Sequence, residues 1–308
     1  MGWAAFTLVT PAQQTFVLLR PGYSTRKIAA DLKSAGVIPS ESAFLIWHYF
    51  HRKHSLKAGE YRFEKPGAIA DIHERLTRGD VYVYTVVIPE GYTMFDIAQA
   101  IEQVGLGTQA DFLKAARENI DLISDLAPDA LTLEGYLFPD TYEFTRTQSM
   151  REIVTVMVRH FRQVAGAIGL TSDIHPTVIM ASIVEKETAV PEERPMVAGV
   201  YYNRLTKRMA LDADPSVIYA ELLAGSYQKA LHHADLQVSS PYNTYRYPGL
   251  PPGPIGNPGK SSLLAAMHPV SSEYLYFVSD GNGHHRFARS LAEHNRNVVA
   301  FRHAVRGQ

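Results

Sequence analysis

The sequence predicts an α+β protein, with a small N-terminal module followed by a larger mixed domain. Three observations predict it. Short runs of alternating apolar residues bounded by Gly and Pro stand between stretches with helical periodicity. A strand-turn-helix pattern around Gly22 recurs around Gly91, an offset of 69 residues. Beyond the second copy the chain changes character: aromatics gather around Gly135, Pro139 and Asp140, and a long Pro-, Gly- and Tyr-rich stretch runs from Tyr242 to Gly259.

The segment from Thr15 reads as a strand, a turn at Pro21-Gly22, and a helix capped by Ser24 with Ile28 and Leu32 on its inner face. A second helix follows from Ser40. Gly59, Tyr61 and Phe63 alternate as in a short strand, and Ile69, Ile72 and Leu76 mark a third helix. The first domain therefore spans residues 15–79 and the second 80–308, opening on the strand "VYVYTVVIPEG". In the two copies "GYSTRKIAADLKSAG" and "GYTMFDIAQAIEQVG", the helix caps Ser24 and Thr93 correspond. Residues 1–14 form a stub whose apolar run, Trp3 to Val9, falls short of the roughly 18 to 20 residues that span a bilayer, and it lacks the basic flank of a signal peptide. Two readings stand for it: an ordinary N-terminal segment, or the remnant of a membrane anchor.

Composition removes whole classes of function. The 308 residues carry 30 basic and 31 acidic side chains, a net charge of -1 that leaves no electrostatic footprint for nucleic acid. With no cysteine, thiol catalysis, disulfides and Cys-ligated metals are excluded. No cofactor or metal motif emerges: His48, His51 and His54 lack a partnering carboxylate pattern, and "GPIGNPGKSS" has Pro254 where a phosphate loop needs its first Gly. The Tyr-rich stretch, too long for a plain connection, is expected to be an ordered loop lining a substrate site.

The chemistry centres on "PTVIMASIVEKETAV". It suits a helix opening near Pro176 and ending before Pro191. At about 100° per residue, Glu187 aligns with Met180 and Ile183, whereas Glu185 aligns with Val178, Ala181 and Ser182. A carboxyl on an apolar stripe at a helix C-terminus is desolvated and faces the negative end of the helix dipole. Both effects favour the neutral acid that general acid catalysis at neutral pH needs. The competing reading makes Glu187 a cap or a salt-bridge partner of an arginine such as Arg194 or Arg204. Asp212 and Asp214 are the candidate second carboxylates, with Asp214 before Pro215 also reading as a helix N-cap, and Asp140 reads as a turn former.

"ASIVEKET" resembles the catalytic helix of the YceG-like family of endolytic murein transglycosylases. "LEGYLFPDTYEF", "VYYNRL", "LDADPSVIY", "SPYNTYRYPGLPPGPIGNPG", "AAMHP" and "YLYFVSDGNGHHRF" resemble the same family in the same order, over about Thr15 to Phe301. The resemblance implies a LysM-like subdomain at 15–79 and a catalytic domain with a lysozyme-like helix. It makes Glu187 the catalytic acid and base, with Thr188 where lysozyme-like relatives carry Ser and Glu185 as a support. By their own chemistry, Asn243 (an amide for an N-acetyl group or sugar hydroxyl), Tyr242 and Tyr245 (rings that stack on sugar faces) and Asp214 are candidate substrate contacts. It also implies peptidoglycan strands as substrate, peptidoglycan synthases as partners, and an N-terminal helix holding the protein in the inner membrane with its catalytic region facing the periplasm. A muramidase-type hydrolase and a non-catalytic glycan-binding scaffold are the rival functions.

Overall fold

The chain is seen in a computed structural model that describes residues 14–306 apart from 52 and 65. The N-terminal stub, and with it the reading of an anchor remnant, lies outside the described residues except for Gln14. The described residues form two compact units: those up to 85 with 143–149, and 86–142 with those from 150 onward. The sequence placed the boundary at 79. The structural division lies a few residues later, within the paired strands β3 (Tyr84–Val87) and β4 (Thr141–Phe144), so that 143–149 returns to the first unit.

In the first unit, β1 (Thr15–Leu19) pairs antiparallel with β2 (Gly59–Phe63), Thr15 opposite Phe63 and Leu19 opposite Gly59. Between them lie α1 (Thr25–Ser34) and α2 (Glu41–Phe50), whose caps Ser24 and Ser40 accept from the amides of Lys27 and Ala43. After β2 comes α3 (Ile69–Arg78), ended by Gly79 in the left-handed conformation. Leu19, Ile28, Leu32, Phe44, Tyr61, Phe63, Ile72 and Leu76 form the core, so the inner faces read from the sequence are those that pack. Strand alternation fails at Glu60, which is buried beside Tyr61. Its carboxylate accepts from Arg146 at 2.8 Å and from the Tyr84 hydroxyl, partners that the local sequence pattern cannot supply.

The second unit repeats the opening motif. Its first helix, α4 (Met94–Gln103), begins at Thr93, whose hydroxyl accepts from the Asp96 amide while the Asp96 carboxylate accepts from the Thr93 amide. Gly22 and Gly91 hold matching positive φ values of 83° and 77°, conformations open to glycine and strained for other residues. There follow α5 (Gln109–Glu118), α6 (Met150–Ala167), α7 (Ile174–Glu187), α8 (Arg194–Thr206), α9 (Asp214–Ala224) and α10 (Lys260–Met267). The hairpin of β5 (Tyr276–Ser279) and β6 (His285–Ala288) then leads to α11 (Leu291–Arg306). α7 lies at the centre, packed on α8, α9 and α10, with every residue from Thr177 to Val184 buried. The Tyr-rich loop is ordered without helix or strand: the Ile255 amide donates to Ser182 Oγ at 3.0 Å and the Gly259 amide to Glu185, pinning the loop along α7.

Candidate active site

Because α7 is buried on all sides, Glu185 and Glu187 are not separated by an apolar and a polar face. Their partners separate them. Glu185 Oε1 accepts from Arg194 Nη2 at 2.7 Å and Oε2 from the Gly259 amide at 2.9 Å, and Arg194 also reaches Glu90 at 3.5 Å. Glu187 forms no ion pair among the described residues and instead accepts a hydrogen bond from Tyr201. Burial, aided by the negative charge of Asp214, raises its carboxyl from the ordinary 4.5 to about 7, against the Tyr201 hydrogen bond and the Arg204 charge. The salt-bridge reading is not realised with either arginine. Arg194 is taken by Glu185 and Glu90, while Arg204 donates to the carbonyls of Leu275 at 2.7 Å and Leu211 at 2.8 Å and to Asp212 at 3.3 Å.

Glu187 opens into a pocket of about 370 Å³. Five parts of the chain besides α7 build it. α8 contributes Tyr201 and Arg204, one turn apart on one face, and the start of α9 contributes Asp214. The hairpin brings Tyr276 and Phe277, α11 brings His294, and the ordered loop adds Tyr245. Asp214 was expected as an N-cap, but Ala213 holds that position and Asp214 is the first helical residue with Pro215 second. Its carboxylate makes no capping bond and accepts the Tyr245 hydroxyl at 2.5 Å.

Of the residues named from the sequence, Glu187, both candidate second carboxylates Asp212 and Asp214, and Tyr245 meet in this pocket, together with Arg204. Asn243, Tyr242, Thr188 and Glu185 do not line it. Asn243 is fully buried, donating to the carbonyls of Leu236 and Val238 and accepting from the Tyr245 amide, so its amide group holds the loop that presents Tyr245. Tyr242 packs on Tyr219 at 5.1 Å, and Thr188 ends α7 with its hydroxyl accepting from the Val190 amide. The phosphate-loop lookalike is spent structurally too, since the Gly259 amide is taken by Glu185.

Tyr201, Tyr276 and His294 went unnamed as site residues, and Arg204 was named only as a rival partner for Glu187. Tyr201 and Arg204 lie in "VYYNRL", where the period of α8 puts them on one face; nothing in sequence spacing brings the hairpin and α11 beside them. His294 stacks on Tyr276 with ring centroids 5.2 Å apart, and its Nδ1 is buried with no hydrogen-bond partner. A further buried carboxylate, Glu134, accepts from the Met94 amide, the Tyr219 hydroxyl and Asn257 Nδ2, tying α4, α9 and the loop together. Burial raises it to about 7 as well.

Two expectations follow from these carboxyls. Tyr201→Phe removes a bond that favours the ionised form of Glu187, so the alkaline limb of the pH-rate profile moves to higher pH; an unmoved limb would separate Tyr201 from the titrating group. Between about 4.5 and about 7 the folded chain holds protons on Glu187 and Glu134 that the unfolded chain has lost, so stability falls as pH rises through that window. Glu187→Gln removes one of these groups, and its unfolding midpoint changes less than that of the wild type between about pH 5 and about pH 8.

The chain matches the model of the YceG-like family over residues 17–300. It is 35% identical over 295 residues to a Bacillus subtilis protein named endolytic murein transglycosylase, covering 89% of this chain and 81% of that protein. A Streptococcus pneumoniae protein of the same name is 28% identical over 313 residues, covering 90% of this chain and 56% of the relative, so the chain spans about half of that longer protein. The crystal structure of a YceG-like protein from Listeria monocytogenes superposes with a TM-score of 0.60 at 34% identity, over 92% of this chain and 98% of that one. Together with a single unpaired, desolvated glutamate at the end of a central helix, these likenesses identify the chain as a member of the YceG-like family.

Proposed function

We propose that the chain is an endolytic murein transglycosylase that cleaves the bond between N-acetylmuramic acid and N-acetylglucosamine inside peptidoglycan strands, with Glu187 as its one acid and base. The observation that carries this reading is the Glu187 carboxyl, raised to about 7 and open to a pocket. As the neutral acid it protonates the glycosidic oxygen while the C1–O bond breaks. As the resulting carboxylate it takes the proton of the muramoyl C6 hydroxyl, whose oxygen attacks C1 and closes a 1,6-anhydro ring. No water enters, so no second carboxylate is needed to activate one. Asp214, held by Tyr245 in the same pocket, supplies negative charge to an oxocarbenium-like transition state.

That same Asp214 supports a second reading, a hydrolase in which it activates water. Digestion of purified peptidoglycan followed by mass spectrometry decides between them: anhydro ends support the transglycosylase, reducing ends the hydrolase, and an absence of fragments would overturn both. The reading carries three further expectations. The catalytic unit works on the outer face of the cytoplasmic membrane, the first unit serves as a LysM-like module, and cleavage occurs beside peptidoglycan synthases, limiting strand length.

A further inference from the structure

We propose that the exposed face of α2, in the first unit, seats on an anionic lipid surface. Large apolar side chains scattered singly over a protein surface need no explanation, but here four stand together. Ile46 and Tyr49 are each 60% exposed, Phe50 76% and Trp47 37%. At about 100° per residue they occupy about 160° of the helix surface, one continuous face opposite the buried Phe44.

The charge around this face matches one partner chemistry. From Ser42 to Gly59 there is no acidic residue, whereas Arg52, Lys53 and Lys57 carry positive charge, with Lys53 and Lys57 exposed. Aromatic and aliphatic side chains on one side with cations at the border are what an interfacial helix presents to acyl chains and anionic headgroups. No helix among the described residues is long and apolar enough to cross a membrane, so the contact is one of lying on the surface.

Other occupants fit less well. A sugar needs an open ring face, and the Trp47 ring is stacked on His51 at 4.3 Å and 19°, which closes one side. Tyr49 and Phe50 meet edge to face at 5.6 Å and 83°, so their rings do not form one flat stacking platform. Four side chains are also well short of the roughly 800 Å² per partner that a stable dimer buries.

The full chain is mixed with vesicles of phosphatidylglycerol and phosphatidylethanolamine in equal parts, and with vesicles of phosphatidylcholine alone. The two tryptophans are Trp3 and Trp47, so a Trp3→Phe background leaves Trp47 as the sole reporter. The expected results are a blue shift of its emission with the anionic vesicles only, and co-sedimentation that Ile46→Ser/Phe50→Ser weakens by about tenfold or more. Lys53→Glu/Lys57→Glu weakens it in the same sense, and added salt weakens it further. The changes at Ile46, Phe50, Lys53 and Lys57 are all on exposed positions, and an unchanged unfolding midpoint certifies the fold. An unshifted Trp47 emission, or co-sedimentation indifferent to the Ile46→Ser/Phe50→Ser change, would overturn the proposal. Protection of Trp47 by soluble peptidoglycan fragments instead of vesicles would assign the face to glycan. Peptidoglycan cleavage in solution is expected to survive every one of these substitutions, so failure here leaves the reading of the Glu187 pocket standing.

Discussion

Replacing Glu187 with Gln lowers the rate of peptidoglycan cleavage by about a thousandfold, while the variant stays folded at neutral pH. The loss is large because in the proposed mechanism one group serves both halves of the reaction, giving a proton to the leaving oxygen and recovering one from the attacking hydroxyl. A glutamine can do neither. The fold survives because Glu187 anchors no ion pair among the described residues, and the Tyr201 hydroxyl can donate to the amide oxygen as it does to the carboxylate. Kinetics of fragment release at matched protein concentration, with a thermal melt of each sample, read both parts. A Glu187→Gln variant with near wild-type turnover would remove the residue from the reaction.

Replacing Glu185 with Ala has the opposite signature: it destabilises the chain by about 3 to 5 kcal/mol, a drop of about 10 °C in the unfolding midpoint. The side chains of Glu185 and Arg194 are only 5% and 7% exposed. Truncating the carboxylate strands a buried guanidinium whose other anionic contact, Glu90, lies 3.5 Å away, and it takes the acceptor from the Gly259 amide that starts α10. Removing both charges with Glu185→Met/Arg194→Met recovers much of the loss, since no uncompensated charge is left behind. Calorimetry on the three variants tests this. An unchanged midpoint combined with lost activity in Glu185→Ala would shift the chemistry to Glu185.

The elements of the first unit were legible because each carries a local signal. Ser24 and Ser40 stand where helices start, Gly79 where one ends, and Ile28, Leu32, Ile72 and Leu76 keep the helical period. Glu60 was not legible, because what makes a buried carboxylate tolerable there is Arg146, 86 residues away. The same limit applied at the site. Helical phase drew a line between Glu185 and Glu187, yet the burial around α7 is uniform, and the line is drawn by Arg194.

Asn243 lies outside the pocket for a related reason. An Asn between tyrosines in a long loop offers an amide to a sugar or to the loop's own backbone with equal ease, and here both of its donors and its acceptor are spent internally. Asp214 shows the converse case. The Asp-Pro pair marked the start of a helix, but a register one residue earlier for the cap left the carboxylate available to Tyr245 and the pocket.

The central claim is that Glu187 is a neutral acid near physiological pH because its carboxyl is desolvated and unpaired. Infrared difference spectroscopy measures this directly, following the carbonyl band of the protonated acid as pH is raised and assigning it with Glu187→Gln. The predicted result is a band that disappears with a midpoint at about 7. Loss of the Glu187 band near the ordinary 4.5 would contradict the account.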